Sequence, residues 1–392
     1  MDADVIVIGL GAFGSAAAAH LARLGARTIG IDAFEPPHAM GSSHGGSRIT
    51  RLAIGEGDAY VPLVRRSHEL WAELAARTGL ALHVTTGGLI MGPGDGRSET
   101  HGRRDFVGST IEVARRHGIA HEVLDAEAIA ARFPQLLLRG DERSYYEPEA
   151  GYLVPEACVA AQLALAREHG ATLLTGAPAT DLAIDAGGVR LRCGGRNLRA
   201  PRAVITAGAW IPSLLGGRYT AELRVYRQVA HWFEPEDPEA WLPGRFPVFI
   251  RAHGAGAEEG FYGFPAMPAP AAQPTGAPAP LAVKLAGEQF STPTTPQAVD
   301  RRVDAAERAA FVGRHLNGRL RGVKPAGLRS EACLYTLAPR SDFVIRPHDA
   351  SPDVVVVSAC SGHGFKHSAA VGESIAQTLL GARPHCDLSS FR

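Results

Sequence analysis

Of the 40 basic residues in this 392-residue chain only three are lysine, at positions 284, 324 and 366, and all the others are arginine. A chain that uses guanidinium almost everywhere makes each remaining ammonium worth weighing. Lysine is a compact charge that burial can strip of its proton, which arginine is not. Lys284 falls within Leu281-Ala-Val-Lys-Leu285, a short apolar stretch that predicts a strand, with Lys284 on the face opposite Val283 and Leu285. A solvated strand lysine is the plain alternative. Lys366 closes the glycine-rich stretch Ser361-Gly-His-Gly-Phe-Lys366, and His44, Arg48 and Arg51 share the loop Gly41-Ser-Ser-His-Gly-Gly-Ser-Arg-Ile-Thr-Arg51. Guanidinium and ammonium groups brought together bind a carboxylate through charge-assisted hydrogen bonds, although one loop arginine is more often a surface residue. The five cysteines (158, 193, 333, 360 and 386) show no C-x-x-C spacing, so neither a disulfide framework nor a metal site is expected.

The elements that must position these groups begin at the N-terminus. Val5 to Ile8 is an apolar run typical of a strand buried on both faces. Gly9, Gly11 and Gly14 follow at G-x-G-x-x-G spacing, and Ser15 to Leu24 reads as an alanine-rich helix stopped by Gly25. Arg27 to Ile31 is a second strand, ending at Asp32. This is the dinucleotide-binding βαβ pattern: glycines for close approach, a helix N-terminus for the pyrophosphate, an acid for the ribose. NAD and FAD are equally compatible with it.

The rest of the chain alternates in the same way. Helices are predicted at Ala59–Arg77, Phe106–His117, Ala126–Arg132, Glu156–His169 and Pro296–Leu316, with a last helix ending near Leu380. Strands are predicted at 87–91, 144–153, 171–174, a hairpin over 181–193, a strand with a tight glycine turn over 203–210, and strands at 224–234, 248–251, 260–264, 281–285, 329–336 and 353–360. Six of the sixteen residues from Pro265 to Pro280 are proline, which reads as a polyproline-like or unstructured loop. The expected class is α/β: a discontinuous nucleotide domain (1–80, 145–215 and 322–392) with a mixed or antiparallel β-sheet substrate domain (81–144 and 216–321) inserted.

Forty acidic residues balance the 40 basic ones, so no charge excess points to nucleic acid, and no apolar run reaches membrane-spanning length. A strand starting at residue 5 leaves no room for a signal peptide, and a monomer in the reducing cytoplasm is the expectation.

Together these stretches resemble the monomeric sarcosine oxidase and N-methyltryptophan oxidase family of covalent flavin amine oxidases. The 41–51 loop is similar to that family's G-S-x-H-G-x-[ST]-R-x-x-R motif. Phe261-Tyr-Gly-Phe-Pro265 and Val283-Lys-Leu285 resemble its active-site sheet, Cys333-Leu-Tyr-Thr336 its flavin-attachment strand, and Ser361–Lys366 its flavin and substrate turn. The resemblance implies a glutathione-reductase-type fold binding FAD, and oxidation of a secondary or cyclic amine to an imine with O2 becoming hydrogen peroxide.

It also implies roles. FAD would be held by Gly9, Gly11, Gly14, Asp32, Ser42, Ser43, Arg48, Gly362, Gly364, Phe365 and Lys366, and linked covalently through Cys333, whose thiolate Arg329 and Arg340 could favour. Most free cysteines, by contrast, are inert buried hydrophobes. Arg51 and Lys366 would hold a substrate carboxylate between Tyr262 and Tyr335. Lys284 would promote O2 reduction, with Arg48, Tyr262 and His44 beside the reacting centre. One position departs from the pattern: Glu288 stands where the family usually has histidine. That opens a second reading, a flavin dehydrogenase or tailoring enzyme desaturating a larger or cationic amine.

Overall fold

Val5-Ile-Val-Ile8 has neighbours on both faces and both edges, which is why it carries no polar residue. It lies inside a six-stranded sheet ordered Thr172–Leu174, Thr28–Ile31, Val5–Ile8, Arg202–Ile205, Ser351–Ser358, Val344–His348. The first five strands are parallel and the last is antiparallel. Val5, Ile6 and Val7 are fully buried, each contributing roughly 1.5–3 kcal/mol of transfer free energy. The helix Ala12–Arg23 packs over this sheet through Ala17, Ala18 and Leu21, against Val371 and Ile375 of the C-terminal helix Ser368–Leu379. The structure is a computed structural model that describes residues 1–269 and 279–391.

A second, mixed sheet of nine strands carries the chemistry-bearing positions. Its order is Pro293–Thr294, Arg224–Phe233, Leu281–Gly287, Gly260–Pro268, Val248–Ala252, Gly88–Pro93, Glu142–Glu147, Glu122–Asp125, with Arg329–Leu337 on the free side of Arg224–Phe233. Register explains which side chains meet. Tyr262 pairs with Ala286, Ala286 with Ala230, Ala230 with Glu331, Gln228 with Cys333 and Tyr226 with Tyr335, while Trp232 pairs with Lys284. Directly paired residues, and residues two apart, share a face. Tyr262, Lys284, Glu331, Cys333 and Tyr335 therefore project from the same side of the sheet. The opposite side, with Phe233, Phe249, Phe261, Val283 and Leu285, forms an apolar core.

Several local expectations change. The strand bearing Cys333 pairs within the nine-stranded sheet rather than joining the nucleotide-binding segments. The predicted helix from Pro296 shortens to Ala305–Phe311 with a wider turn over Val312–Leu316, because the Asp304 carboxylate caps at Glu307 N. Upstream, Arg227 holds the carbonyls of Asp300 and Arg302 in a non-helical path. Arg48–Thr50, read as loop, is a short strand paired with Gly151–Leu153. The proline-rich stretch starts later than expected, since Pro265 to Pro268 continue the strand and Ala269 N donates to Pro280 O. Residues 270–278, the rest of that predicted loop, lie outside the described residues. The strand Val344–His348 had no expectation, and the 181–193 hairpin gains a third strand, Arg196–Ala200.

Candidate active site

The carboxyl ends of four parallel strands open into one cavity, where Gly9, Asp32, Thr206 and Ser358 form part of its wall. That is where a doubly wound sheet places a nucleotide. A Cβ on Gly14 would sit 1.7 Å from Gly9 O, so only glycine allows helix and strand to meet here. The helix Ala12–Arg23 has no acid in its first turn and no side-chain cap from Gly11, so no carboxylate of its own offsets the positive end offered to an anion. Ser43 Oγ, from the 41–51 loop, stands beside it and accepts from Ala12 N at 3.2 Å. Asp32 is anchored by Leu10 N (2.7 Å) and Phe34 N (2.9 Å), with His38 Nε2 at 3.3 Å. A helix N-terminus free of acids, a close glycine turn and an oriented carboxylate fit the pyrophosphate and ribose of a dinucleotide.

The same cavity continues past Ser42, Ser43 and Arg48 to Arg51, Tyr262, Tyr335, Glu288 and the turn Gly362–Lys366 with Gly364 and Phe365. Arg48 Nη2 donates to Ser42 O (2.6 Å) and Nη1 to Ser47 O (2.7 Å), while Ser42 Oγ bonds Leu334 O on the Cys333 strand. Gly45 N and Gly46 N both donate to Glu156 Oε1, which pins the loop from the helix side. The hydroxyls of Tyr262 and Tyr335 lie 3.3 Å apart. Burial raises the pKa of both phenols, so they remain protonated donors. Lys366 Nζ is buried against His363 O, and burial, with Arg51 nearby, lowers its pKa to about 7.

Cys333, Lys284 and His44 are not in the cavity wall. Lys284 Nζ lies behind the loop, donating to Gly45 O (2.7 Å) and Ser47 O (3.0 Å), with the Phe264 and Trp232 rings 4.9 and 5.5 Å away. Burial first, and Arg48 second, push its pKa well below the lysine range. His44 Nδ1 is 3.5 Å from Glu331 Oε1, so this histidine pairs with an acid behind the wall instead of facing the cavity. Burial raises the Cys333 thiol pKa, and the cations that oppose this are Arg48 and Lys284. Arg329 and Arg340, expected to favour the thiolate, instead pair with Glu331 (3.5 Å) and Asp342 (3.0 Å).

Two residues absent from the sequence reading dominate the far end. Glu56 Oε2 accepts from Arg51 Nη2 at 2.9 Å, and both side chains are buried. Burial works against the Glu56 carboxylate, yet Arg51 and His101 hold its pKa well below the usual range. His101 lies between Glu56 Oε1 (Nδ1, 2.9 Å) and Glu288 Oε1 (Nε2, 3.1 Å). Glu147, also unanticipated, accepts from Leu52 N, Ala53 N and Tyr145 Oη and so fixes the turn that aims Arg51. The sequence does hold one signal for Glu56, an acid flanked by glycines five residues after Arg51. His101 carries none. Among the described residues no His, Cys, Asp and Glu side chains group to hold a metal, and no helix is long and apolar enough to cross a membrane.

Residues 4–378 match the family described as FAD dependent oxidoreductase (DAO). The chain belongs to this family. It is 39% identical over 383 residues to the monomeric sarcosine oxidase of Streptomyces avermitilis, covering 96% of this chain and 93% of that one. To the N-methyl-L-tryptophan oxidase of Salmonella arizonae it is 32% identical over 397 residues, covering 100% and 98%. Among solved structures the open form of NikD, titled an unusual amino acid oxidase essential for nikkomycin biosynthesis, superposes with a TM-score of 0.80 at 24% identity, covering 97% and 94%. A glycine oxidase from Geobacillus kaustophilus gives 0.71 at 19% identity, covering 99% and 97%. These likenesses confirm the α/β fold expected from the βαβ pattern. For a DAO-family oxidoreductase the dinucleotide is FAD, which resolves the choice left by the glycine motif.

Proposed function

We propose that this chain oxidises a secondary or cyclic amine bearing a carboxylate, forming the imine while O2 becomes hydrogen peroxide. The observation that carries this reading is the placement of two buried cations, Arg51 and Lys366, in the same cavity as the FAD cradle. The names of its relatives, for sarcosine and N-methyl-L-tryptophan, point to N-methyl amino acids.

FAD, when bound, supplies the two-electron acceptor and passes the electrons to O2. The chain's own residues bind and orient. Arg51 and Lys366 take the carboxylate, with Glu56 bonded to Arg51 Nη2 and orienting the guanidinium. Tyr262 and Tyr335 wall the site with donor hydroxyls. Arg48 and Lys366 place positive charge near the amine, which favours its unprotonated form, the form that can be oxidised. Lys284 Nζ donates to Gly45 O and Ser47 O, and under this reading a proton taken up there as O2 is reduced supplies positive charge against the negative charge that develops. His44, through Glu331, positions charge behind the Cys333 strand.

Cys333 is the residue that carries the covalent link to FAD in this proposal, with Arg48 and Lys284 as the cations that would favour its thiolate. The chain is taken to work as a monomer in a reducing compartment such as the cytoplasm, in keeping with its free thiols. Acid-precipitated protein should stay yellow, and Cys333→Ser should release all FAD to the supernatant. A colourless wild-type precipitate would remove the linkage. The function itself is tested by screening N-alkyl and cyclic amino acids with a peroxide-coupled assay on FAD-loaded protein.

A further inference from the structure

Arg51, Glu56, His101 and Glu288 form one hydrogen-bonded row along the cavity, with steps of 2.9, 2.9 and 3.1 Å. Both imidazole nitrogens of His101 face carboxylate oxygens, which accept but do not donate, so the imidazole carries both protons. The row then holds two cations and two anions and is neutral as it stands. A substrate carboxylate beside Lys366 favours the ammonium form, and the two charges match.

The end of the row is built and incomplete. Glu288 Oε1 is bonded to His101, whereas Oε2 receives no hydrogen bond from any described residue, and Glu288 lines the cavity. His101 takes φ 49°, a left-handed conformation that a residue with a side chain seldom adopts and that persists where the surroundings demand it. Gly362 stands against the pair: a Cβ there would lie 3.1 Å from His101 Nε2 and 3.3 Å from Glu288 Oε1. The turn that carries Lys366 thus packs closely against this acid and imidazole.

We propose that His101 and Glu288 form a specificity subsite for a neutral hydrogen-bond donor, a hydroxyl, amide or ring N–H, carried by a monocarboxylate amino-acid substrate. The inference rests on the carboxylate-binding role proposed for Arg51 and Lys366. A second carboxylate on the substrate would meet Glu288 as a like charge. A second ammonium would add a cation where the imidazolium has already matched the acid, so the subsite does not select the cationic amine that Glu288 alone suggests. A neutral donor satisfies Oε2 and leaves the charge count unchanged.

Four acids of similar size that lack a secondary or cyclic amine, mixed without O2, separate these cases: succinamate, 4-oxopentanoate, succinate and 4-aminobutyrate. Succinamate and 4-oxopentanoate differ only in an NH2 for a CH3. Binding is read from perturbation of the flavin absorbance of the FAD-loaded protein. Succinamate should bind at least about tenfold more tightly than 4-oxopentanoate, the usual effect of a hydrogen bond to a charged group. It should also bind more tightly than 4-aminobutyrate, with succinate weakest. Glu288→Leu should erase the advantage of succinamate over 4-oxopentanoate, and His101→Gln, which leaves the acid unmatched, should make 4-aminobutyrate the tightest of the four. Equal wild-type binding of succinamate and 4-oxopentanoate, or a wild-type preference for 4-aminobutyrate, overturns the proposal without any variant. Binding of the acids without this ranking counts against the subsite. Failure of all four to perturb the flavin counts against the Arg51–Lys366 carboxylate site, and the proposal falls with it.

Discussion

Replacing His101 with glutamine removes a cation held between two acids, the buried Glu56 and the cavity-lining Glu288, and pH sets what that costs. In the folded chain burial pulls the imidazole pKa down, but Glu288 and Glu56 outweigh burial and raise it from 6.5 to about 9. A group whose folded pKa is raised stabilises fully below its unfolded pKa and loses that contribution as pH climbs through the folded value. The stabilisation is therefore complete below 6.5 and gone above about 9, and the separation is worth about 3 kcal/mol. Lys366 acts in the opposite sense. Burial lowers its pKa from 10.5 to about 7, so its ammonium destabilises the fold at low pH and that penalty is relieved as pH rises through 7 toward 10.5. The two slopes oppose each other between about pH 7 and 9, so the wild-type curve alone hides both. The difference between wild type and His101→Gln isolates the imidazole, because Lys366, Arg51 and His363 are common to both proteins. Urea unfolding of FAD-loaded protein should show that difference shrinking by about 3 kcal/mol between roughly pH 6 and 9.5. A difference that stays constant across that range would show that His101 is not protonated between the two carboxylates, and the charge row would be refuted.

Other consequences follow from the same geometry. Arg51→Met removes the hydrogen bonds of one fork to a carboxylate, and kcat/KM for an N-alkyl amino acid should fall roughly 10- to 100-fold, with Arg51→Lys recovering only part because ammonium lacks the fork. Lys284→Met should slow reoxidation by O2 far more than anaerobic flavin reduction in stopped flow. Equal slowing of both steps would remove its assigned role. Gly14→Ala places a Cβ 1.7 Å from Gly9 O, and the variant should purify with little or no FAD. Full FAD content would show that the strand-to-helix turn tolerates a shift the structure does not suggest.

Contiguous features were legible in the amino-acid order and discontinuous ones were not. Gly9, Gly11, Gly14 and Asp32 fall within 24 consecutive residues whose local backbone geometry does the work, so their spacing, together with the strands and helix that flank them, announces the dinucleotide cradle. Lys284 stood out by its scarcity and by strand alternation, and pairing with Trp232 placed it on the face expected. Glu56, marked only by its flanking glycines, and His101, with no mark at all, take their roles from pairing across 45 residues, and Glu288 joins them from a further 187 residues away. No local pattern distinguishes a buried, doubly paired histidine from a surface one. The arginines expected beside Cys333 failed for a related reason. Arg329 and Arg340 are near in sequence but find closer acids, while Arg48, some 285 residues upstream, is the one that reaches the thiol's surroundings. The helix predicted from Pro296 overlooked the Asp304 cap, whose effect is visible only once Arg227 is seen holding the preceding carbonyls.

The central claim is that one cavity joins an FAD cradle to a carboxylate-binding site for an amine. It is tested most directly by mixing FAD-loaded protein anaerobically with a panel of N-methyl and cyclic amino acids, then admitting O2. At least one of these amines should bleach the flavin absorbance, its N-acetylated or carboxyl-esterified counterpart should not, and O2 should restore the colour with one hydrogen peroxide formed per imine. Bleaching that is indifferent to the carboxylate would contradict the role of Arg51 and Lys366, and imine formed without peroxide would contradict the oxidase assignment.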